Sequence, residues 1–304
     1  MVDYTEVNNT CECPLCSSPD TEEEMLCEDY MVSGESFPIC RCKSCGFRFT
    51  GDLPQENDMG RYYDAPEYIS HSNTRRGIVN KLYHRIRKYM LAQKYRLVCR
   101  ETGRKSNADI LDVGTGTGYF PATMKAAGWN VEAVEINEKA RRFVLDTFGI
   151  SVEESLYSER FGKARFDCIT LWHVLEHLSE PGKVFERLGY LLKDDGKLII
   201  AVPNRESADA SHYGNAWAAY DVPRHLWHFA PDTLKRMAGM HGFRVRSIKP
   251  MPFDGFYVSM LSEEYKGSRF YFMKGLLVGL SAWFKSLSDK KKSSSLIFIL
   301  EKNR

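Results

Sequence analysis

Long hydrophobic runs are missing from this 304-residue chain. The stretch Lys274-Gly-Leu-Leu-Val-Gly-Leu-Ser-Ala-Trp-Phe284 is too short to span a bilayer, which excludes it as a transmembrane segment. With Lys285, Lys290, Lys291 and Lys292 behind it, it has the makings of a surface helix on an anionic membrane. A helix packing on the sheet or capping the substrate is the preferred reading. The start, Met-Val-Asp-Tyr-Thr-Glu, lacks the basic and apolar regions of a secretory signal. An excess of one charge is lacking as well, since 42 Lys and Arg face 40 Asp and Glu for a net +2. Cysteine is scarce after the first 45 residues, where only Cys99 and Cys168 remain, both expected to be buried free thiols. That pattern, without a signal, fits a reducing cytoplasm.

The other seven cysteines are Cys11, Cys13, Cys16, Cys27, Cys40, Cys42 and Cys45. Two knuckles stand out, Cys13-Pro-Leu-Cys16 and Cys42-Lys-Ser-Cys45-Gly46. Paired Cys-x-x-Cys turns bring four thiolates to tetrahedral distance from one zinc ion. Cys13, Cys16, Cys42 and Cys45 are therefore the candidate zinc ligands, with Cys11 and Cys40 as possible alternatives. A segment of this size builds no sufficient core alone, so a metal staple is physically sensible. The competing readings are a disulfide framework, which would need secretion, and a redox pair, which would need a thioredoxin-like unit.

Residues 110–120, Ile-Leu-Asp-Val-Gly-Thr-Gly-Thr-Gly-Tyr-Phe, read as an apolar strand turning on Gly114, Gly116 and Gly118 into a helix. About twenty residues on, a second strand over 131–136 ends in Glu135, placed to hydrogen-bond the two hydroxyls of a ribose. The dinucleotide fingerprint needs a glycine where Tyr119 stands. Asp112, two residues before the first glycine, would sit badly beside a pyrophosphate and suits the cationic amino group of S-adenosylmethionine (SAM). The candidate cofactor shell is Asp112, Gly114, Thr115, Gly116, Gly118, Tyr119, Glu135, Ile136, Trp172 and His173.

The pattern continues downstream. Residues 166–171 read as a buried strand, and Val184, Leu188, Leu191 and Leu192 recur at helical spacing. Gly196 is expected to end that helix before a strand over 197–204. Alternating strands and helices imply a parallel sheet covered on both faces. On Leu111-Asp-Val-Gly-Thr-Gly-Thr-Gly118, Glu135, Phe166-Asp167, Val174-Leu-Glu-His177, Val202-Pro-Asn204 and Pro223-Arg-His-Leu226 before Phe229, the chain resembles the class I SAM-dependent methyltransferases. More narrowly, it resembles the subgroup that includes the ubiquinone-pathway O-methyltransferases. The resemblance covers roughly residues 60–304. It implies an α/β, Rossmann-like sheet of seven strands with the last antiparallel, behind a small N-terminal zinc ribbon. Residues 243–248 and 295–300 supply the sixth and seventh strands, separated by a long insertion. The modules expected are a zinc ribbon over 1–55, a lid segment with a basic amphipathic helix over 56–106, and the methyltransferase domain over 107–304.

Charge is lopsided locally. Residues 1–60 hold thirteen acids against Arg41, Lys43 and Arg48, and residues 75–105 hold eleven bases against Glu101 alone. Ile78, Leu82, Ile86, Tyr89 and Met90 form an apolar stripe in that second segment, as on an amphipathic helix. A solvated face that also packs on the acidic ribbon, a site for an anionic substrate, and a nucleic-acid surface all remain open, the first preferred. An RNA-reading ribbon should be basic, and no Asn-Pro-Pro-Tyr type motif follows the fourth strand, which argues against an exocyclic base amine as acceptor.

In this fold, ligands sit at the carboxyl ends of the strands. His173, His177 and His225 are the candidate general bases for a hydroxyl acceptor. The spelling His173-Val-Leu-Glu-His177 also matches a zinc-peptidase motif, which would require a helix there. Asn204 lies on the same strand edge. The segment 221–225 reads either as a packed corner around Arg224 or as a substrate contact, and Tyr62, Tyr63 and His71 are candidates for a lid. The reading is a cytoplasmic SAM-dependent methyltransferase acting on a small-molecule or sugar-type hydroxyl, with RNA methylation or a non-catalytic SAM-binding assembly role as alternatives.

Overall fold

The computed structural model describes residues 12–63, 78–251 and 253–303. His71 and Cys11 lie outside them. In chain order the strands are β1 (Thr21–Glu28), β2 (Ser36–Cys42), β3 (Arg48–Thr50), β4 (Asp109–Val113), β5 (Asn130–Val134), β6 (Val152–Glu153), β7 (Phe166–Trp172), β8 (Leu192–Pro203), β9 (Trp227–His228), β10 (Phe243–Met251) and β11 (Ser295–Lys302). The α-helices are α1 (Ile78–Thr102), α2 (Tyr119–Ala126), α3 (Glu138–Phe148), α4 (Pro181–Leu191), α5 (Ala208–Tyr213), α6 (Pro231–Met240), α7 (Asp254–Tyr265) and α8 (Tyr271–Ser288). The described residues group into two compact units. One draws on 78–202, 235–251 and 295–303, the other on 12–63, 203–234 and 253–294.

The first unit is built on a seven-stranded sheet in the order β10-β11-β8-β7-β4-β5-β6. β4 pairs in parallel with β5 and β7, β5 with β6 and β7 with β8, while β10 and β11 run antiparallel. β4 and β7 are buried on both faces over nearly their whole length, as central parallel strands covered by helices must be, with Asp112 and Thr170 as polar residues inside. Asn137 caps α3 by accepting from Ala140 N, and Gly149 closes it in the left-handed region. The seven-strand expectation therefore holds. One boundary differs: α4 ends at Leu191, and residues 192–196 enter β8 as an irregularity between the Phe166↔Leu192 and Cys168↔Lys197 pairs. Leu192 thus continues the buried apolar pattern as a strand residue.

α1 also departs from expectation. Its core-facing side is Leu97 and Val98, buried with Ile110, Phe120, Met124 and Ile199, and flanked by Met90, Leu91 and Tyr95. Ile86 and Tyr89 of the sequence stripe are exposed. Met90, the last residue of that stripe, does pack on the core, and the helix docks through Met90, Leu91, Tyr95, Leu97 and Val98.

The second unit contains a four-stranded sheet, β1-β2-β3-β9. β1 and β2 form an antiparallel hairpin, and β3 pairs Arg48 with His228 and Phe49 with Trp227. The cysteine-rich segment therefore shares its sheet with chain that follows β8. Its core is Cys27, Phe37, Ile39, Tyr62, Ala210, Tyr213, Trp217, Tyr220 and Val222. Five of these nine residues, Ala210, Tyr213, Trp217, Tyr220 and Val222, come from the chain after β8, and Val258 and Val278 pack against them. Tyr62, a lid candidate, is a core residue whose hydroxyl donates to Glu35. The neighbouring Tyr63 has its phenol pushed up to about 12 by burial.

Candidate functional site

β4 delivers Asp112 and then the glycine turn. Gly114, Gly116 and Gly118 have φ of 69°, 52° and 73°. At Gly118 an added Cβ would lie 2.6 Å from Val144 Cγ2, so only glycine lets α2 start against α3. At Gly116 nothing lies within 4 Å of that position, which leaves the turn open for close approach of a ligand. The turn is laced to the end of β5: Gly114 N and Thr115 N donate to Val134 O at 2.8 and 2.9 Å. Gly116 N donates to Glu135 Oε2 at 2.7 Å, and Asn137 N to Glu135 Oε1 at 2.9 Å. Ile136, next to it, is a large apolar side chain left 82% exposed.

Asp112 is buried between two hydroxyls. Thr115 Oγ1 donates to its Oδ2 at 2.8 Å and Thr170 Oγ1 to its Oδ1 at 2.6 Å. Burial pushes its carboxyl up to about 6 against the pull of those hydroxyls. Each oxygen keeps a second lone pair for a cationic ligand.

The end of β7 completes this edge. The Trp172 ring meets Phe120 edge-on at 5.4 Å and carries Lys94 Nζ 4.2 Å from its centroid. Its buried Nε1 has no hydrogen-bond partner among the described residues, leaving a donor for a ligand. His173 follows with φ 59°, a left-handed conformation costly for a side chain with a Cβ and one that concentrates at functional sites. Its amide donates to Ala201 O at 2.9 Å, and its Nδ1 lies 3.3 Å from Oε1 of the fully buried Glu176. His177 ends a single 3-10 turn, Leu175–His177. The zinc-peptidase reading fails here, because His173 and His177 are not on one helix. Tyr119 at the start of α2 lies under the guanidinium of Arg87, 3.9 Å from its ring centroid.

His225 belongs to the second unit. Its Nδ1 lies 2.9 Å from Ala219 O, and its Nε2 3.8 Å from Asp221 Oδ2. Arg224 beside it is buried, with bonds to Asp29 Oδ1 at 2.8 Å, Asp221 Oδ1 at 2.6 Å and Tyr62 O at 3.0 Å. This is the packed-corner reading of residues 221–225. Asn204 is likewise engaged within the unit: its Nδ2 donates to Lys291 O at 2.6 Å and Ser293 O at 2.9 Å. The sequence reading passed over Lys94, Arg87 and Thr170. Thr170 had a signal, since it stands two residues before Trp172 and so faces the same side of β7.

The two knuckles come together in the same unit. The Sγ atoms of Cys13, Cys16, Cys42 and Cys45 all lie within 4.8 Å of one another. Cys13 and Cys45 are 3.6 Å apart, as are Cys16 and Cys42. Tetrahedral zinc with bonds of about 2.3 Å sets its sulfurs about 3.8 Å apart, so the donor set fits the ion. Backbone amides of Leu15 and Cys16 point at the Cys13 sulfur, Cys45 N at Cys42, and Phe47 N at Cys45. Amides aimed at sulfur favour thiolates. None of these cysteines is in a disulfide, and Cys40, buried, is not in the group.

Comparison with known proteins decides the family. Residues 83–248, more than half of the chain, match the family model described as a methyltransferase domain. The chain belongs to the class I SAM-dependent methyltransferase family. Among curated relatives, the ubiquinone biosynthesis O-methyltransferase of Thiobacillus denitrificans is 28% identical over 48% of this chain and 68% of its own length. That of Xanthomonas axonopodis pv. citri is 33% identical over 34% of this chain, which spans about half, 46%, of that relative. Among solved structures, the Burkholderia thailandensis 1,6-didemethyltoxoflavin-N1-methyltransferase superposes with a TM-score of 0.50 at 16% identity, over 91% of this chain and 100% of that one. At that identity the likeness concerns the fold alone. The methyltransferase match covers the glycine turn, Glu135 and the β7 edge, but not the four-cysteine cluster.

Proposed function

We propose that this methyltransferase transfers a methyl group from SAM to a hydroxyl of a small-molecule or sugar-type acceptor in the cytoplasm. The observation that carries the cofactor half is the hydrogen-bonded pairing of the open glycine turn with Glu135. Glu135 would hold the ribose hydroxyls, Asp112 the methionine amino group beside the open turn at Gly116, and Ile136, Tyr119 and Trp172 the adenine and sulfonium surroundings. SAM supplies a methyl group already activated on a sulfonium. The chain's task is to align the acceptor oxygen, exclude water and accept its proton.

His173 is favoured over His177 and His225 as the residue that takes that proton. A buried carboxylate, Glu176, lies against its Nδ1, which would stabilise the protonated ring and fix its orientation. The His225 ring already faces Ala219 O and Asp221. Cys13, Cys16, Cys42 and Cys45 would hold zinc as a structural staple, with no part in the transfer. Hydroxyl acceptors are favoured by the relatives, which are named as O-methyltransferases. RNA is disfavoured because two bases of α1, Arg87 and Lys94, are engaged over Tyr119 and Trp172 rather than presented to a polyanion.

The test is transfer of tritium from methyl-labelled SAM into fractionated cell extract, with and without nuclease. Label should enter the small-molecule fraction, resist nuclease, and fall about a hundredfold or more with His173→Ala while S-adenosylhomocysteine binding persists. Label confined to a nuclease-sensitive fraction would make the RNA reading correct.

A further inference from the structure

Helix α8 is two-faced in an unusual sense. Its buried stripe is small: Gly275, Gly279, Ala282 and Ser286. A Cβ at Gly279 would lie 2.8 Å from Phe256 Cα, so α8 and α7 meet nearly backbone to backbone. The large side chains point the other way. Met273, Leu276, Leu277, Leu280, Phe284 and Leu287 are between 39% and 64% exposed. At 3.6 residues per turn these six fall within an arc of about 100°. Single exposed leucines are ordinary on a protein surface, but a continuous apolar helix face marks a contact surface.

The charges beside that face say what kind. Lys274 and Lys285 run along one edge of it, and Lys290, Lys291 and Lys292 form the 3-10 turn that follows. All five are exposed, and α8 contains no Asp or Glu. A second copy docking here would bring two lysine fringes together with no acid on either helix to answer them. An anionic lipid surface answers both features at once. No helix among the described residues is long and apolar enough to cross a membrane, so the fit is to lying on the surface.

We propose that α8 is an interfacial anchor: its apolar face lies in the boundary between headgroups and acyl chains of an anionic bilayer, and its lysine fringe meets lipid phosphate. The test uses the full chain and sucrose-loaded vesicles of phosphatidylcholine with and without phosphatidylglycerol. Cosedimentation should be about tenfold or more stronger with phosphatidylglycerol and should weaken as salt rises. Leu277→Glu with Phe284→Glu, and separately Lys290→Glu with Lys291→Glu and Lys292→Glu, should each remove about tenfold or more of that binding. These positions are exposed, so folding is not at stake, and the lipid and salt dependence of the unaltered chain decides the matter without any variant. Absence of binding to either vesicle, or equal binding to both at all salt concentrations, overturns the proposal. So does a dimer in sedimentation equilibrium that Leu277→Glu splits while vesicles capture nothing, since the face then belongs to a second copy.

Discussion

Asp112 shows how one residue serves structure and chemistry together. It was legible in the sequence as an acid two residues ahead of a glycine turn. Its two hydroxyl donors were not, because Thr170 lies 58 positions away and meets it only through the β4–β7 register. Burial pushes the carboxyl from an ordinary 3.8 up to about 6. A raised carboxyl holds its proton longer in the folded chain, so the stability it contributes is complete below pH ~4 and is lost as pH rises through about 6. The shift corresponds to roughly 2–3 kcal/mol. Asp112→Asn should flatten the stability profile between about pH 4 and 6 in urea titrations. An unchanged slope in that window would show that Asp112 does not titrate there.

At the scale of elements, the sequence read strands better than helix faces. β7 and β11 stood out as mainly apolar runs. The docking face of α1 did not, because the stripe that ends at the docked Met90 also takes in the exposed Ile86 and Tyr89. The knuckles were legible as paired spacings, whereas the strand β9 that extends their sheet was two residues long and carried no signal of its own. The zinc staple is the prediction at this scale. Elemental analysis of the purified protein should find one zinc per chain. Cys13→Ser or Cys42→Ser should release it and open the two knuckles to proteolysis, because metal binding and local folding are coupled. The Phe37, Ile39 and Trp217 core should keep the remainder of the unit folded. Native protein free of zinc with these thiols reduced would contradict the assignment.

For the whole molecule, the glycine turn and the strand alternation made the sheet readable, since a parallel sheet writes its period into the sequence. The second unit was not readable, since it is assembled from three separated stretches whose contacts no local pattern announces. The acceptor is hidden for a related reason: it would be met by loops and insertions that vary while the fold stays constant. The central claim is that the open turn and Glu135 form a SAM site. Isothermal titration of the full chain with S-adenosylhomocysteine, with NADH as the control, tests it most directly. The account predicts saturable binding of S-adenosylhomocysteine, none of NADH, and a loss of roughly 1–3 kcal/mol with Glu135→Ala, the cost of removing charge-assisted hydrogen bonds. Binding of NADH without binding of S-adenosylhomocysteine would contradict it.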